Sequence, residues 1–356
     1  MDTMQPAVDA EKLQAFMGKM IGDMGGAWSG VMVLIGERLG LFKALAEGGP
    51  ATSDELAKRT GTAERYVREW LAAQAAAGYV EYSKATRRFS MTPEQAMVLA
   101  DENSPVYVAA AFDVIKSGYI DEPKVTAAFK TGRGVGWHEH HECLFRGVER
   151  FFRSGYQAYL VQEWIPALDG VADKLKRGGK VADVGCGHGV STVLMAKAFP
   201  NSTFVGFDYH AESIERARKA AAEAGLQNVT FEVAKAKDYP GRDYDLVAVF
   251  DALHDMGDPK GAAAHIRTTL KPDGTFMLIE PFAHDDVADN LNPVGRLYYS
   301  GSTMICTPAS LSQEVGLGLG AQAGEARLRE VVTSAGFTRF RRAAETPFNL
   351  ILEARP

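Results

Sequence analysis

Cysteine is scarce in this chain. Three of its 356 residues are cysteines (Cys143, Cys186 and Cys306), and none of them forms a C-x-x-C pair. This scarcity argues against a disulfide framework and fits a reducing compartment. The sequence also lacks an apolar run of the ~20 residues that a membrane-spanning helix requires. The first residues, MDTMQPAVDAEKLQ, carry acidic side chains and no apolar core of a signal peptide. We therefore expect a cytoplasmic protein without a membrane segment.

The chain also lacks an excess of positive charge. It has 39 Lys and Arg against 45 Asp and Glu, a formal net charge of -6. A general attraction to nucleic acid is therefore not expected, although the net charge does not exclude a local basic surface. What is present is typical of a globular protein: hydrophobic residues make up 46% and charged residues 24% of a chain long enough for two domains.

Residues 1–100 are predicted to form an N-terminal helical and winged-helix domain. Apolar residues recur at helical spacing over residues 11–47, which predicts either core packing or a dimer-forming helix. Helix-start signals stand at Thr52-x-x-Glu55, Thr62 and Thr92-Pro93, and two short β-runs precede the last of them. Helix, turn, helix and β-ribbon in this order is the pattern of a winged helix-turn-helix.

Such a module binds either DNA or another subunit, and the charges of its second helix favour subunit binding. This helix, AERYVREWLAAQ, balances Glu64 and Glu69 against Arg65 and Arg68. A helix that reads the major groove more often presents a net basic face. Homodimerisation through this domain is therefore the favoured prediction, and DNA binding remains an alternative.

Residues 101–170 are aromatic-rich and are predicted to be a helical linker that contributes to a substrate pocket. Trp137 and Tyr156 are the candidate pocket residues of this segment. It also holds a histidine-rich stretch whose spacing matches no closed zinc pattern, so we expect no metal there. The possible ligands in that stretch are His138, His140, His141 and Cys143.

Residues 171–356 are predicted to form an α/β domain. From residue 179 onward, seven short apolar runs appear, and helical stretches separate the early ones. This alternation predicts a parallel sheet with helices on both faces. The last two runs are joined by TPF alone, so they should form an antiparallel hairpin near a sheet edge. A long connection at about 282–324 is a candidate lid, with Arg296, Tyr298 and Tyr299 as pocket residues.

The most informative stretch is VADVGCGHG at residues 181–189. Its glycines follow the spacing G-x-G-x-G, whereas a dinucleotide-binding loop reads G-x-G-x-x-G. Asp183 stands at the end of the strand, where a carboxylate would repel a pyrophosphate and favour a cationic ligand. S-adenosylmethionine is such a ligand, because it carries an ammonium and a sulfonium and no phosphate. Asp208, at the end of the next strand, is placed to accept hydrogen bonds from ribose hydroxyls.

With these motifs in place, the sequence resembles class I S-adenosylmethionine-dependent methyltransferases. The resemblance rests on VADVGCGHG, FVGFDYH, FDALHDMGDP and LKPDGTFMLIEP. The segment around GLFKALAEGGPATSDELAKRTG is similar to the winged-helix dimerisation domain of small-molecule O-methyltransferases. The stretch LNPVGRLYYSGSTMICTPASLSQ is similar to a bacterial and mycobacterial group, some of whose members are described as transcriptional regulators. The resemblance implies a Rossmann-like, seven-stranded methyltransferase sheet.

The resemblance also implies roles for individual residues. Asp183, Gly185, Gly187 and Gly189, with Cys186 and His188 between them, would line the methionine and ribose part of the cofactor. Asp208 would hold the ribose and Tyr209 would lie beside the adenine. Lys235 stands where an acid that binds the adenine amino group is common, so backbone groups of Lys235 and Ala236 would hold the adenine instead. Phe250 and Asp251 would close the cofactor site at the end of the fourth strand.

His254 is the candidate general base for methyl transfer to a small-molecule acceptor. It follows the fourth strand, close to where a methyl donor would bind, and a His-Asp pair supplies the base in the O-methyltransferases that the chain resembles. Asp255 is the second catalytic candidate. Two other functions stay open: a winged-helix regulator that binds S-adenosylmethionine without turnover, and, less favoured by the glycine spacing, an NAD-dependent oxidoreductase.

Overall fold

The computed structural model describes residues 8–356. The first seven residues, on which the signal-peptide expectation partly rests, lie outside the described residues. The chain divides into two compact units between Lys116 and Ser117, inside the segment that was expected to be the linker. The two units are described in turn as the N-terminal unit and the C-terminal unit.

The N-terminal unit begins with a long helix, α1 (Ala10–Arg38), and a short one, α2 (Leu41–Gly48). The predicted helical segment 11–47 is therefore interrupted, because Gly40 adopts φ 67°, a left-handed conformation that an α-helix does not continue through. The following elements are α3 (Ser53–Thr60), α4 (Glu64–Ala76), β1 (Glu81–Ser83), β2 (Arg88–Ser90) and α5 (Pro93–Leu99).

This order confirms the predicted winged helix-turn-helix. Thr52 and Glu55 form a reciprocal capping box at the start of α3. The strands β1 and β2 pair antiparallel, as a wing requires. The start of α4 differs from the prediction: the N-cap is Ala63, and the Thr62 hydroxyl lies 2.8 Å from the hydroxyl of Thr60 instead of capping the helix.

The C-terminal unit is built around a seven-stranded sheet. Its strands are β3 (Lys180–Val184), β4 (Thr203–Asp208), β5 (Val229–Val233), β6 (Tyr244–Phe250), β7 (Leu270–Pro281), β8 (Arg339–Glu345) and β9 (Asn349–Arg355). The helices are α6 (Ala111–Thr131), within which the units divide, then α7 (Cys143–Gly155), α8 (Ile165–Ala167), α9 (Val171–Arg177), α10 (Val190–Ala198), α11 (Ala211–Glu223), α12 (Pro259–Thr269), α13 (Pro293–Gly301), α14 (Thr307–Leu311) and α15 (Gly324–Ser334). Two π-helical segments, Tyr156–Trp164 and Ser302–Cys306, continue α7 and α13.

The strand order is β5-β4-β3-β6-β7-β9-β8. The first five strands run parallel, and β9 pairs antiparallel with both β7 and β8. The predicted terminal hairpin is confirmed, with β8 at the edge. The chain leaves β3 in one direction and returns to β6 on the other side. The carboxyl ends of β3 and β6 therefore form the crevice where ligands of open α/β sheets bind.

The strand in the middle of the sheet is completely buried. All seven residues of β6 are buried, as expected for a strand with helices on both faces. Each buried Val, Leu or Phe of this kind contributes about 1.5–3 kcal/mol to folding. Among residues 8–356, no helix combines the length and apolar character needed to cross a membrane.

Candidate functional site

A cavity of about 480 Å³ lies within the C-terminal unit at the carboxyl ends of the parallel strands. Its wall contains most of the residues that the sequence singled out. They are Trp137, Tyr156, Gly185, Cys186, Gly187, His188, Asp208, Tyr209, Lys235, Ala236, Phe250, Asp251 and Asp255. The cavity is thus lined by residues of the linker, of four strand ends and of the long connection.

The glycine-rich loop turns sharply from β3 into α10. Gly189, the N-cap of α10, adopts φ 77°. A Cβ atom there would lie 2.7 Å from the Phe231 ring, so the loop packs too closely for any other residue. Gly187 also has a left-handed conformation, and no atom lies within 4 Å of its Cβ position. Gly187 lies on the cavity wall, and the loop backbone is therefore open to a ligand there.

Asp208 occupies the end of β4 on the cavity wall. Its Oδ2 accepts a hydrogen bond from the Gly187 N–H at 2.9 Å, and its Oδ1 accepts one from the His210 N–H at 2.8 Å. Each carboxylate oxygen has a second lone pair, so the group can accept two more hydrogen bonds from the cavity. Burial raises the pKa of Asp208, and the two N–H donors oppose that shift. This geometry suits a pair of neighbouring hydroxyls.

Asp183 is fully buried behind the loop and does not belong to the described wall of the cavity. Its Oδ2 accepts hydrogen bonds of 2.6 Å from the hydroxyls of Ser191 and Thr192, in the first turn of α10. Its Oδ1 has no hydrogen-bond partner among residues 8–356. Burial raises the pKa of Asp183 to about 6. Within the described structure, the carboxylate that was expected to face the cofactor thus holds the helix that follows the loop.

Asp251 is a second carboxylate on the wall, next to the loop. It has φ 48°, a conformation that costs a non-glycine residue energy and is often found at binding sites. Its Oδ2 accepts from the Tyr156 hydroxyl at 2.7 Å, and its Oδ1 accepts from the Asn349 amide at 2.9 Å. Burial raises its pKa to about 8. The sequence did not point to Asn349, which lies almost one hundred residues further along the chain.

Glu149 and His188 form a hydrogen-bonded pair on the wall that the sequence did not predict. Glu149 Oε2 lies 2.9 Å from His188 Nδ1, and Arg153 contacts the other oxygen of the same carboxylate. Burial raises the pKa of Glu149, but the hydrogen bonds from His188 and Arg153 outweigh burial and lower it to about 2. The pair ties α7 to the glycine-rich loop.

Four side chains, called the His254 corner, lie close together beyond the end of β6. They are His254 and Asp255 after β6, Glu280 near the end of β7, and Cys306 in the π-helical segment of the long connection. His254 Nδ1 lies 2.5 Å from Glu280 Oε2, and His254 Nε2 lies 3.3 Å from Asp255 Oδ1. The other oxygen of Glu280 accepts from the Leu253 N–H at 3.1 Å. The described wall of the cavity includes Asp255 but not His254, which is 3% exposed. Glu280 was missed, although it stands at the end of the run GTFMLIEP.

The long connection reaches the cavity through residues other than those expected. Arg296, Tyr298 and Tyr299 do not belong to its described wall, and the Tyr298 hydroxyl donates to the Phe348 carbonyl at 2.8 Å. The wall contains Ala309, Ser312, Gln313 and Glu314 instead. Gln313 holds the turn after β6 by donating to the Asp255 carbonyl at 2.8 Å and accepting from the Gly257 N–H at 3.1 Å.

The histidine-rich stretch does not gather into one ligand set in the described structure. His138 lies on the cavity wall, whereas His140 is buried with its Nδ1 3.2 Å from Asp121 Oδ2. The residues that do bring ligand atoms together are His254, Asp255 and Cys306, whose nitrogen, oxygen and sulfur atoms lie within 4.8 Å of one another.

The sheet order, the antiparallel terminal hairpin and the loop after β3 define the Rossmann-like fold of class I methyltransferases. The comparison with protein families agrees. Residues 175–332 match the family described as methyltransferase domain, and residues 27–101 match the Rv2258c-like winged HTH domain. The chain therefore carries a winged helix-turn-helix domain followed by a methyltransferase domain.

Solved structures of similar fold span nearly the whole chain. Human N-acetylserotonin methyltransferase, solved in complex with S-adenosylmethionine, is 17% identical, with 99% of each chain covered and a TM-score of 0.69. Mitomycin 7-O-methyltransferase MmcR is 19% identical, covering 98% of this chain and 100% of its own, with a TM-score of 0.68. An O-methyltransferase family protein from Burkholderia thailandensis is 17% identical, covering 98% and 99%, with a TM-score of 0.66. At these identities the likeness establishes the fold.

Curated relatives match the methyltransferase part. The uncharacterised methyltransferase YcgJ of Bacillus subtilis (strain 168) is 31% identical over 122 residues, 33% of this chain and 47% of the relative. Ubiquinone biosynthesis O-methyltransferase of Actinobacillus pleuropneumoniae serotype 7 (strain AP76) is 34% identical over 107 residues, 28% and 44% of the two chains. The chain thus spans less than half the length of these relatives.

Proposed function

We propose that this protein is an S-adenosylmethionine-dependent methyltransferase that acts on a small molecule, with O-methylation as the favoured reaction. The observation that carries the proposal is the pairing of Asp208 with the glycine-rich loop. The Asp208 carboxylate is fixed by two backbone N–H groups and keeps acceptor capacity toward the cavity. The nearby loop backbone approaches the same space without side chains. A ribose fits the first feature, and a ligand without phosphate fits the surrounding carboxylates.

In the proposed arrangement, the donor lies along the carboxyl ends of β3, β4 and β6. Asp208 accepts the ribose hydroxyls, while Tyr209, Lys235 and Ala236 border the adenine. Asp251 borders the cationic methionine end beside the loop, since Tyr156 and Asn349 hold its carboxylate in place. Asp183 stabilises the loop from behind through Ser191 and Thr192.

The acceptor occupies the part of the cavity between the linker and the long connection. Aromatic side chains of the linker, Trp137, Phe145 and Phe152, lie on the wall there, and Met256 and Gln313 lie on it from the other segments. A mostly apolar wall with few polar groups is typical of small-molecule sites. Proximity and alignment supply most of what an in-line methyl transfer needs.

The His254 corner is proposed to handle the acceptor proton. His254 remains the proposed base, and Asp255 is the group of the pair that borders the cavity. Glu280 lies beside Nδ1 of His254, and Asp255, which borders the cavity, lies beside Nε2. Nε2 is therefore the nitrogen proposed to take the acceptor proton.

The direct test of the proposal is a metabolite-library methylation screen after mass spectrometry of the ligands that co-purify with the protein. Transfer of a labelled methyl group to a small acceptor is the expected result. If the protein binds S-adenosylmethionine but transfers no methyl group to any acceptor, the enzyme proposal fails and the result supports a regulator that binds the cofactor without turnover.

Homodimerisation through the N-terminal unit is part of the proposal. Along α1, Phe16, Met20, Met24 and Trp28 are between 41% and 70% exposed, and they recur on one side of the helix at helical spacing. An exposed apolar stripe of this kind marks an interaction surface. Sedimentation should show a dimer, and charged substitutions at Met24 and Trp28 should convert it to a monomer.

Binding of DNA by the winged helix is the second candidate, because the match to a winged HTH domain favours it. The charges on its surface weigh against it. Arg65 pairs with Glu69, Arg68 pairs with Glu64, and Arg88 pairs with Glu55. These pairs occupy cations that phosphates would need. Salt-dependent binding in a mobility-shift assay would support the regulator, and its absence supports the enzyme.

A further inference from the structure

The helix α7 presents one face to the cavity. Its residues Phe145, Val148, Glu149 and Phe152 recur at helical spacing, and all four lie on the cavity wall. Tyr156, the first residue of the π-helical segment that continues α7, lies on the same wall. Glu149 is the only one of these five side chains that is charged near neutral pH. A single charged group on a mostly apolar wall is the kind of group that fixes the orientation of a ligand.

Glu149 faces the glycine-rich loop. Its Oε2 is 2.9 Å from Nδ1 of His188, the loop residue that follows Gly187. Arg153, one turn further along α7, contacts Oε1. The two partners fix the carboxylate beside the loop. Each carboxylate oxygen has a second lone pair, so Glu149 can still accept hydrogen bonds from a ligand in the cavity.

Two further contacts hold the same face of α7 against the strand ends. The Phe145 ring stacks on the His210 ring, with the centroids 5.3 Å apart. The Tyr156 hydroxyl donates to Asp251 at 2.7 Å. Together with the Glu149 contact, these interactions join α7 to the segments that follow β3, β4 and β6. These are the three strands along which the donor is proposed to lie.

Three carboxylates beside the glycine-rich loop are not assigned to the ribose, and the structure separates them. Asp183 does not belong to the described wall of the cavity. Asp251 does, but burial raises its pKa to about 8, so it is largely protonated near neutral pH. Burial also raises the pKa of Glu149, but the hydrogen bonds from His188 and Arg153 outweigh burial and lower it to about 2. Glu149 is therefore the carboxylate that offers a full negative charge to a cation beside the loop.

We propose that Glu149 binds the α-ammonium group at the amino-acid end of the donor. This inference rests on the proposed function, because it assigns one more group of the same ligand. An ammonium has three N–H donors, and the fixed carboxylate of Glu149 has two lone pairs left to accept them. Hydrogen bonds between two ionised groups are roughly twice as strong as neutral ones. Through Glu149, α7 thus distinguishes a donor that carries an amino-acid end from a nucleoside that lacks one.

The test is calorimetry of the full-length protein with three ligands that share the adenosine group. S-adenosylmethionine and S-adenosylhomocysteine both carry the amino-acid end, and only the first is a sulfonium. The third ligand, 5′-methylthioadenosine, has neither feature. Glu149→Gln should weaken binding of the first two by about 10-fold or more, because it removes the charge of the acceptor. Its affinity for 5′-methylthioadenosine should stay within about twofold of wild type, which also shows that the variant is folded.

Glu142→Gln is the matched control. Glu142 is an exposed carboxylate at the N-cap of the same helix, its side chain makes no capping hydrogen bond, and it is not part of the described wall. This variant should bind all three ligands as wild type does. Glu149→Asp keeps the charge and should recover part of the affinity that Glu149→Gln loses.

An equal loss of affinity for all three ligands in Glu149→Gln, or no loss for any of them, would overturn the inference. A loss confined to S-adenosylmethionine would also overturn it, because the carboxylate would then act on the sulfonium. In each of these cases wild type still binds S-adenosylmethionine, and the proposed function stands. If wild type binds none of the three ligands, the proposed function itself fails.

Discussion

The two sides of the cavity are built in opposite ways. At the donor side, the Asp208 carboxylate is held by backbone N–H groups, and its remaining lone pairs are available to a ligand. At the His254 corner, the side chains come from distant parts of the sequence and contact one another. The donor side thus leaves hydrogen-bonding capacity for a ligand, whereas the polar atoms of the corner face one another.

The largest expected effect belongs to the donor side. Asp208→Ala should weaken S-adenosylmethionine binding about 100-fold or more, because it removes two hydrogen bonds to a charged acceptor worth about 1.5–3 kcal/mol each. Calorimetry measures the change. Glu232→Gln, an exposed carboxylate on β5 that is not part of the described wall, is the control and should bind as wild type. Equal affinity in Asp208→Ala and wild type would remove Asp208 from the donor site.

A substitution at the His254 corner should lower turnover without weakening donor binding. His254→Ala should lower kcat about 100-fold or more, the usual scale for loss of a proton-handling group. Donor affinity should stay within about threefold of wild type, since the described cavity wall does not include the ring. The measurement is steady-state methyl transfer on an acceptor from the screen. A parallel loss of donor affinity would mean that the two sides are not separate.

The pair that ties α7 to the glycine-rich loop should respond to pH. The pKa of Glu149 is lowered from 4.5 to about 2 by His188 and Arg153. Its contribution to stability is therefore present above pH 4.5 and is lost as the pH falls toward 2. After allowance for solvent screening, Glu149→Gln should cost about 1–2 kcal/mol near neutral pH and less in acid. Urea unfolding of both proteins across this range checks it, and a difference that does not change with pH would contradict it.

The smallest effect is expected in the long connection. Arg296→Ala should leave donor affinity and turnover within about twofold, because Arg296 is exposed and is not part of the described wall. Gln313→Ala, in the same connection, should lower turnover more, since it frees the turn that carries Asp255. Calorimetry and steady-state assays compare the two variants. A larger loss in Arg296→Ala would show that the acceptor lies beside α13 after all.

The features that local sequence signals specify were predicted well. The winged helix, the seven strands and the loop at residues 181–189 depend on local signals such as capping boxes, apolar runs and glycine spacing. The structure confirms these signals, except for the helix break at Gly40 and the start of α4 at Ala63. Most residues predicted on the donor side lie on the wall of one cavity for the same reason, whereas Asp183 and Gly189 are not part of its described wall.

The partners of the His254 corner could not be predicted in this way. Glu280 and Cys306 stand 26 and 52 positions after His254, and only the pairing of β6 with β7 and the path of the long connection bring them close. Asn349, Glu149 and Gln313 were missed for the same reason. Asp183 shows the reverse case: it lies near the end of β3 as predicted, but its side chain accepts hydrogen bonds from Ser191 and Thr192, which a strand-end pattern does not reveal.

The central claim is that the cavity binds S-adenosylmethionine, and calorimetry of the full-length wild-type protein tests it most directly. We expect saturable binding of about one S-adenosylmethionine per chain and no binding of NAD, whose pyrophosphate would meet the carboxylates of the wall. Absence of S-adenosylmethionine binding at millimolar ligand would contradict the claim, as would binding of NAD alone.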